Sequence, residues 1–345
     1  MVNVIKLFVF WFLRCLSKLN LDSKSYVVYD YTFGYDSHSK ALYDYYVRLF
    51  PNARVYFVTN KPRFDNNIEI DRKSLKGLAL LLFCRNFAIN VGMPSYIDVR
   101  DKVVVQFWHG TPMKSLGVFD HSVSDREKRN RCLEFSYYNK IIVQNQLLAD
   151  ALIESYCIVD SKSVLVSSNP YLDSIVAGRI NNQLQSKNNV SEKRRKIVYL
   201  PTYRNTKQRN WDLSECPNFI DFVYNNNYDF IARYHPSDDK YDSAAPTLTH
   251  VLSEADIVIT DYSSVAFDSF ESGITTLLYW EDVEEYSLAR GVDRKFMSYY
   301  DFPIFYSESN LIEGLSKLKL QSAIYCTHDL SKSKIMEHQI TTAYL

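Results

Sequence analysis

The sequence predicts an α/β protein with two doubly wound, Rossmann-like domains that face a cleft. The chain has 345 residues, 46% hydrophobic and 23% charged, an ordinary globular composition in a chain too long for one hydrophobic core. Short apolar runs alternate with helical patterns, as in parallel sheets whose strands are joined by helices. One polar stretch, residues 181–195, interrupts this alternation, which then resumes. Two successive blocks therefore imply two domains.

The first predicted element is a basic amphipathic helix over residues 1–20. At about 100° per residue its polar residues fall in one arc of roughly 120°: Asn3, Lys6, Arg14, Ser17 and Lys18. Apolar residues fill the rest, but the apolar run is too short to span a bilayer and no signal-peptide cleavage site follows. Two interpretations stay open: a terminal helix packed on the first domain, or an in-plane anchor on the inner face of the cytoplasmic membrane. The width of the apolar face favours the anchor.

The first domain is expected over residues 21–180. Its apolar runs predict buried parallel strands at Tyr26 to Tyr29, Val55 to Val58, Phe87 to Val91, Val103 to Trp108, Ile141 to Val143 and Val164 to Val166. The patterns between them predict helices at Ser39 to Phe50, Arg126 to Tyr137 and Gln146 to Tyr156. Residues 181–195 are polar and lack apolar periodicity, which predicts a linker or an exposed loop.

The second domain is expected over residues 196–330, followed by a C-terminal tail or helix at 331–345. Its predicted strands are Ile197 to Leu200, Phe230 to Tyr234, Asp256 to Ile259 and Thr276 to Tyr279. Its predicted helices are Ser264 to Ser272 and Asn310 to Leu318. Ligands of doubly wound sheets bind beyond the carboxyl ends of the strands, so polar clusters at strand ends are the candidate sites.

The formal charges cancel, because 40 Lys and Arg residues balance 40 Asp and Glu residues. No global field draws the chain to nucleic acid, and an anionic ligand must be held by a local cluster. The six cysteines show no CxxC or other metal-binding spacing, which argues against a zinc site and a disulfide framework. We therefore expect a cytoplasmic protein with reduced thiols and no metal or other cofactor.

The first polar cluster follows an apolar strand and contains His109, Gly110 and Thr111. Thr111 suits an N-cap and Pro112 suits the first helical position, which predicts a helix start here. An anion at that helix start would lie within reach of His109 and Lys114. Because glycine has no side chain, Gly110 would permit close approach of the anion to the backbone. This combination favours a binding or catalytic role for the histidine over a structural turn.

Two further clusters end strands of the second domain. Thr202 and Arg204 share parity after the strand that ends at Leu200, so both side chains project to one side of an extended chain. Arg233 and His235 likewise share one face at the end of the next strand. A cation and an imidazole together at a strand end suit a phosphate group better than a hydrophobic core.

The fourth cluster begins at Asp261, where an apolar strand runs into Ser263 and Ser264 at the start of a predicted helix. The serine hydroxyl groups and the N–H groups of the helix start suit a phosphate, and the helix dipole adds about half a positive charge. Ser264, Asp268 and Glu271 lie on one helical face by their spacing. The carboxylates are therefore expected to reach ribose hydroxyl groups while the serines hold phosphate.

Four motifs that contain these clusters resemble those of the CDP-glycerol glycerophosphotransferase family, the teichoic acid polymerases and primases. FWHGTPMKSLG, LPTYR, RYHP and ITDYSSVAFD occur in the family's order, and GYDSHSKALYDYY resembles its N-terminal segment. The resemblance covers about residues 26–305 and implies the GT-B fold. Residues 168–173, SNPYLD, depart from the family's G-x-P-R-x-D pattern, which bears on the acceptor and the alditol.

The resemblance also implies roles for individual residues. His109 matches the general base, and with His235 it is one of two expected catalytic residues. The residues that match the family's donor-binding positions are Thr202, Arg204, Arg233, His235, Ser263 and Ser264. The sequence contains no Asp-x-Asp, the metal-binding signature common in GT-A enzymes.

The implied reaction transfers an alditol phosphate, most simply glycerol phosphate, from a CDP-alditol such as CDP-glycerol. The acceptor would be a hydroxyl group of a cell-surface glycopolymer, such as a teichoic acid or capsule polysaccharide, or of its lipid-linked precursor, and CMP would leave. A GT-B glycosyltransferase that uses a nucleotide sugar is the alternative, because a diphosphate site and ribose-binding carboxylates would serve it equally. A catalytically silent scaffold in a polysaccharide assembly complex is a third possibility.

Overall fold

The computed structural model describes residues 2–30, 37–60, 68–113, 115–120, 123–187, 194–203, 212–235, 238–242, 244–290, 296–318 and 333–344. The chain divides into two compact units. Unit 1 contains Met1–His109, Leu116–Tyr171 and Leu330–Leu345, and unit 2 contains Gly110–Ser115 and Leu172–Asp329.

Unit 1 is built on a parallel sheet. Its strands are β1 Asp22–Asp30, β2 Val55–Thr59, β3 Glu69–Asp71, β4 Cys84–Ile89, β5 Val103–Phe107, β6 Lys140–Val143 and β7 Val164–Val166. In the described part of the unit these form a seven-stranded sheet in the order β3-β2-β1-β4-β5-β6-β7. Every residue of β5 is buried, as expected for a central strand that helices cover on both faces.

The helices of unit 1 connect these strands. They are α1 Val2–Leu16, α2 Ser37–Leu49, α3 Leu75–Phe83, α4 Asp125–Ser136 and α5 Gln146–Ser155. Side chains of Ser74, Ser124 and Asn145 accept hydrogen bonds from backbone N–H groups in the first turns of α3, α4 and α5. These polar residues mark the helix starts because they satisfy donors that a helix leaves unpaired.

Unit 2 is a second parallel α/β unit. Its strands are β8 Arg195–Leu200, β9 Tyr228–Ala232, β10 Ile257–Thr260, β11 Thr275–Tyr279 and β12 Ile304–Phe305. Its helices are α6 Pro170–Lys187, which begins two residues before the unit boundary, α7 Pro217–Asn225, α8 Leu248–Glu254, α9 Val265–Glu271, α10 Val283–Arg290 and α11 Glu308–Lys317. Among the described strands, the sheet order is β12-β11-β10-β8-β9.

The structure corrects the segment that sequence analysis predicted as a linker, residues 181–195. Residues up to Lys187 continue α6, and Arg195 already begins β8. Polar contacts replace the apolar periodicity that would have revealed the helix. Arg179 donates hydrogen bonds to the carbonyl groups of Ala255 over 2.5 Å and Gly273 over 3.1 Å, at the C-terminal ends of α8 and α9. Residues 181–185 of α6 are mostly exposed, so this part of the helix shows no apolar stripe in its sequence.

The C-terminal segment, expected as a tail or helix over 331–345, contains α12, Ser333–Tyr344, and belongs to unit 1. Met336 and Ile340 are fully buried in the core that also contains residues of β1, α2 and β5. The hydroxyl group of Tyr344 donates a hydrogen bond to the carbonyl oxygen of Phe87 over 2.8 Å. The core of unit 1 is therefore completed by residues that follow the whole of unit 2 in the sequence.

In helix α1 the basic residue Arg14 contacts the rest of unit 1, whereas several apolar residues are exposed at the surface. Arg14 donates to the carbonyl group of Ser95 over 3.0 Å and lies 3.4 Å from the buried carboxylate of Asp98. Lys18, in the 3₁₀ turn that follows, lies 3.6 Å from the same carboxylate. Phe8, by contrast, is 70% exposed, and the other exposed apolar residues of α1 are Ile5, Leu7, Val9, Trp11 and Phe12. No helix in the described ranges is both long and apolar enough to cross a bilayer.

Candidate active site

The first cluster of polar side chains lies at the carboxyl edge of the sheet of unit 1. The chain proceeds from β1 to β2 on one side and returns to β4 on the other, so the strand order reverses between β1 and β4. Such a switch point is where doubly wound sheets bind their ligands. Asp30 is the last residue of β1, Asn90 follows β4, and His109 follows the neighbouring strand β5.

His109 is held by its strand neighbours. Its Nδ1 lies 2.6 Å from the carbonyl oxygen of Asn90, and its ring stacks on Trp108 with 4.9 Å between centroids. A carbonyl oxygen can only accept a hydrogen bond, so Nδ1 carries the proton in the neutral ring. The lone pair is then on Nε2. This is the tautomer that a general base requires.

The surroundings also set the charge of His109. Burial lowers the pKa of this imidazole below its usual value, while the hydrogen bond to Asn90 and the negative charge of Asp30 oppose that effect. The net direction is downward, so the ring is predominantly neutral near neutral pH. A neutral imidazole on a partly exposed side chain can accept a proton.

A buried network behind His109 contains residues that sequence analysis did not single out. The Ser39 hydroxyl group of α2 donates to the Asp30 carboxylate, and the Asn90 side-chain amide donates to Ser39 Oγ over 2.9 Å and to Asp30 Oδ2 over 3.5 Å. All three residues are at most 2% exposed. The signal was present in the sequence, because Asp30 and Asn90 lie at the ends of predicted strands. Ser39 belongs to the motif GYDSHSK.

His38 precedes Ser39 on α2 and was also missed. Its ring packs on that of Tyr171 with 3.9 Å between centroids. Burial, and to a lesser extent the charge of His109, lower the pKa of His38 to about 3. It is therefore a neutral imidazole beside the candidate base. Tyr171 belongs to the segment SNPYLD, which departs from the family pattern.

The segment Gly110–Ser115 belongs to unit 2. The helix predicted to start at Thr111 and Pro112 is wrong, because the described residues of this segment are irregular and only a 3₁₀ turn, Gly117–Phe119, follows. Thr111 is fully buried and its side chain is hydrogen-bonded to that of Tyr300. A threonine engaged with another side chain in this way does not cap a helix.

Gly110 lies directly against the start of α9. Its φ of +103° is a conformation that residues with side chains rarely adopt. A Cβ atom at this position would lie 3.3 Å from Cβ and Oγ of Ser264 and 3.5 Å from Oδ2 of Asp268. Glycine therefore permits the close approach that the sequence suggested, and the surface it approaches belongs to α9.

Asp268 and Glu271 support this segment from within unit 2. They are only 3% and 6% exposed, and the Tyr300 hydroxyl group donates to Glu271 over 2.6 Å. Burial, and then the charge of Glu271, raise the pKa of Asp268 well above its usual range. The predicted contact of these carboxylates with ribose stays a prediction. In this structure the two side chains support Gly110 directly and Thr111 through Tyr300.

Asp261 and Thr202 organise the carboxyl edge of the second sheet. Oδ1 of Asp261 accepts hydrogen bonds from the N–H groups of Thr202 over 2.9 Å and Tyr262 over 2.7 Å, and from the Thr202 hydroxyl group. β8 and β10 are adjacent parallel strands, and the strand order of unit 2 reverses between them. The fully buried Asp261 thus joins two strand ends at a switch point, so its contacts in this structure are with the protein.

Ser263 and Ser264 follow at the same edge and are partly exposed. Oγ of Ser263 accepts a hydrogen bond from the N–H group of Val265 over 3.3 Å, and Ser264 directly precedes α9. α9 has only seven residues, so its dipole contributes less than that of a longer helix. The hydroxyl groups of the serine pair are therefore the main polar groups offered to an anion here.

Arg233 and His235 follow β9, which ends at Ala232, two residues earlier than predicted. Arg233 donates a hydrogen bond to the carbonyl group of Pro246 over 2.5 Å. His235 is exposed, and its ring stacks on Tyr203 with 5.7 Å between centroids. β9 and β10 flank β8, so these residues and the serine pair lie at the same edge of one sheet.

Tyr234, between these two residues, anchors the segment. Its hydroxyl group donates to Oδ2 of Asp212 over 2.9 Å, and Nζ of Lys240 lies 2.7 Å from the same carboxylate. Asp212 is only 5% exposed and its own loop supplies a further hydrogen bond from Ser214. This buried network fixes the backbone from which Arg233 projects.

Two predicted binding residues, Lys114 and Arg204, lie outside the described residues. In the part of the chain that the structure describes, no group of three or more His, Cys, Asp or Glu side chains is arranged to hold a metal ion. Unit 1 presents an imidazole with a defined tautomer, and unit 2, taken by itself, presents a polar sheet edge.

The fold defines the class of protein. A solved structure of a variant of the wall teichoic acid polymerase TagF matches with a TM-score of 0.77 at 21% identity, covering 99% of this chain and 96% of that chain. UDP-GlcNAc 2-epimerase from Neisseria meningitidis matches with a TM-score of 0.53 at 11% identity, covering 92% and 100%. The protein is an α/β protein of the GT-B type, which confirms the predicted fold class.

Sequence comparison gives the family. The family model described as CDP-glycerol:poly(glycerophosphate) glycerophosphotransferase matches residues 12–339. The chain belongs to this family, which confirms the resemblance seen in the motifs.

Curated relatives are distant but consistent. The chain is 25% identical to a teichoic acid poly(glycerol phosphate) polymerase of Bacillus subtilis over 82% of its length, and it covers 42% of that protein. It is 26% identical to a teichoic acid glycerol-phosphate primase of Staphylococcus aureus, over 78% of this chain and 74% of that protein. It spans less than half of the first relative and 44% of the corresponding polymerase of Staphylococcus epidermidis.

Proposed function

We propose that the chain transfers glycerol phosphate, or a related alditol phosphate, from a CDP-alditol to a hydroxyl group and releases CMP. The acceptor is a cell-surface glycopolymer or its lipid-linked precursor. The observation that carries this proposal is the hydrogen bond from Nδ1 of His109 to the Asn90 carbonyl group, which leaves Nε2 as the basic nitrogen in a member of this family. The names of the relatives, poly(glycerol phosphate) polymerase and glycerol-phosphate primase, favour CDP-glycerol as the donor.

In this reaction Nε2 of His109 takes the proton of the acceptor hydroxyl group as the oxygen attacks the β-phosphorus of the donor. A P–O bond forms to the acceptor, the bond from the β-phosphorus to the bridging oxygen breaks, and CMP leaves with the electron pair. A neutral imidazole suits this step because it can take up a proton near neutral pH. The lowered pKa of His109 keeps it in that form.

The donor's phosphate groups are assigned to the edge of the second sheet. Arg233, His235 and the serine pair Ser263 and Ser264 would neutralise the charge that develops on the leaving CMP and on the transferred group. The residues that hold these side chains are themselves held by hydrogen bonds. Donors that are fixed in advance stabilise developing charge more effectively than mobile ones. Thr202 would lie at the nucleotide end, and we assign Lys114 and Arg204 to donor binding on the family motif alone.

A comparison of several nucleotide-linked donors tests this function. The purified chain is incubated with an acceptor that ends in glycerol phosphate and with CDP-glycerol, CDP-ribitol or nucleotide sugars, and released CMP, UMP or UDP is measured. We expect CMP from CDP-glycerol, and His109→Asn should lower its rate about 10²- to 10⁴-fold, the usual contribution of a general base. His250→Asn, at an exposed histidine of α8, is the matched control. Transfer of a sugar from a nucleotide sugar, without CMP release, would exclude phosphoalditol transfer.

We further propose that the protein acts on the cytoplasmic side of the membrane, with α1 lying in the membrane surface. The exposed apolar residues of α1, Phe8 foremost, support this assignment. Arg14 and Lys18 are already paired with Asp98. Insertion of apolar side chains would therefore dominate binding, with only weak dependence on ionic strength.

Vesicle sedimentation tests the membrane assignment. The wild-type chain should bind vesicles of anionic phospholipid at low and high ionic strength alike, and Phe8→Asp should abolish most of this binding. Val159→Asp introduces the same charge at an exposed apolar residue elsewhere in unit 1 and should have no effect. Equal binding of Phe8→Asp and Val159→Asp to the vesicles would contradict the proposal that α1 lies in the membrane surface.

A further inference from the structure

His109, the base of the proposed reaction, is hydrogen-bonded to the backbone carbonyl group of Asn90. The side-chain amide of Asn90 is in turn hydrogen-bonded to the buried carboxylate of Asp30. Asn90 presents its backbone oxygen to Nδ1 of His109 and its side-chain amide to Ser39 and Asp30. One residue therefore connects the imidazole to the interior of the unit.

The interior end of this connection is Asp30, which has no exposed surface. Placing a carboxylate at such a position is costly unless hydrogen bonds satisfy it, and two side chains from different elements, Ser39 and Asn90, do so. The edge of a sheet could be fixed with apolar residues at lower cost. The negative charge of this buried carboxylate instead stabilises the protonated form of the His109 imidazole.

We propose that Asp30 is a positioning residue for the general base: through Ser39 and Asn90 it fixes the carbonyl group that binds Nδ1 of His109, and its charge keeps Nε2 basic. The first effect selects the tautomer. The second offsets the desolvation of the ring, which would otherwise leave a weak base. Asp30 does not contact the substrate and acts only through His109.

The charged and titratable groups around His109 are consistent with this role. Asp30, on β1, stabilises the protonated ring, while His38, on α2, interacts with it unfavourably when both are charged. His38 is neutral near neutral pH, because burial lowers its pKa to about 3. In the described surroundings of His109, the hydrogen bond to the Asn90 carbonyl group opposes the desolvation of the ring most, and the charge of Asp30 adds to it.

The inference rests on the proposed function, so its test uses a readout that does not require turnover. Histidine is labelled with ¹⁵N in the full chain, His109 is assigned by its loss in His109→Gln, and its shifts are followed against pH. We expect the Nδ1–H tautomer in the wild-type chain. In Asp30→Asn, a substitution of the same shape, the pKa of His109 should fall, because a neutral amide no longer stabilises the protonated ring.

Two further variants separate charge from geometry. Asp44→Asn removes the same charge from the exposed face of α2, where Asp44 pairs with Lys40, and should leave the titration of His109 unchanged. Ser39→Ala keeps the charge of Asp30 but removes one link to Asn90. It should disturb the tautomer while shifting the pKa less than Asp30→Asn does. It also serves as the test if Asp30→Asn does not fold.

The CMP assay then separates this inference from the proposed function. In Asp30→Asn the acid limb of kcat/KM against pH should move to lower pH together with the titration of the free protein, whereas a purely structural defect would lower kcat/KM at every pH. An Nε2–H tautomer in the wild-type chain, or an unchanged titration in folded Asp30→Asn, overturns the positioning role even if CMP is released. A shifted titration without CMP release supports the positioning role and refutes the proposed function.

Discussion

Replacing His38 by glutamine should remove a large part of the acid sensitivity of unit 1. Burial, and then the charge of His109, lower the pKa of His38 from 6.5 to about 3 in the folded chain. Above pH 6.5 neither the folded nor the unfolded chain protonates this ring. Between 6.5 and 3 the unfolded chain binds the proton and the folded chain does not, so the free energy of unfolding falls as the pH falls.

The magnitude follows from this window. Each pH unit within it costs about 1.36 kcal/mol, so acidification from pH 7 to pH 5 should lower the free energy of unfolding by about 2 kcal/mol through His38 alone. This loss of free energy does not depend on the exact pKa of His38 in the folded chain, provided that this pKa lies well below 5. Glutamine keeps a polar side chain of similar size and cannot be protonated in this range.

Urea unfolding at pH 7 and pH 5, followed by hydrogen exchange of peptides from unit 1, measures this difference. We expect the wild-type chain to lose about 2 kcal/mol more than His38→Gln on acidification. His250→Gln, at an exposed imidazole in unit 2, should respond as the wild type does. Identical pH dependence in the wild type and His38→Gln would show that this ring is protonated as easily in the folded chain as in the unfolded chain, and the reasoning would fail.

Three further predictions concern the site and its supports. Because burial lowers the pKa of His109 in the free protein, the acid limb of kcat/KM against pH should lie below 6.5, with activity lost as the pH falls through it; a limb at or above 6.5 would contradict this assignment. Gly110→Ala should lower both the midpoint of thermal unfolding and kcat/KM. A φ of +103° costs other residues about 1–3 kcal/mol, and the new Cβ atom would press on Ser264. An unchanged midpoint would argue against this geometry. Arg179→Met should destabilise unit 2 by about 1–3 kcal/mol in urea unfolding, because the carbonyl group of Ala255 would lose a donor in a buried contact and that of Gly273 in a partly buried one. A loss below about half of the lower value would mean that water replaces the guanidinium.

The strands of both sheets could be predicted because central parallel strands are buried on both faces and therefore form continuous apolar runs. The three-residue strand β3 and the two-residue strand β12 were missed, since strands this short give no recognisable run. The helix α3 was also missed. Its sequence, LKGLALLLF, is apolar almost throughout and runs directly into β4, so periodicity does not mark a boundary.

The site could be predicted where chemistry and strand ends coincide, as at His109, Arg233 and the serine pair. It could not be predicted where function depends on distant partners. The spacing of Asp268 and Glu271 on one helical face is real, but only the structure shows that this face is covered by Gly110, Thr111 and Tyr300. Likewise, the link from Asp30 to His109 joins three strands and a helix through a backbone carbonyl group, which has no signature in side-chain identity.

The position of α12 has a consequence for biosynthesis. Met336 and Ile340 fill the core of unit 1, yet the ribosome adds them only after it has translated all of unit 2. A nascent chain therefore exposes an unfilled hydrophobic groove on its first unit while the second unit emerges. Chaperones that recognise apolar surface would meet the chain at this stage. Premature termination after Asp329 and before α12 would yield a complete second unit joined to a first unit that lacks part of its core.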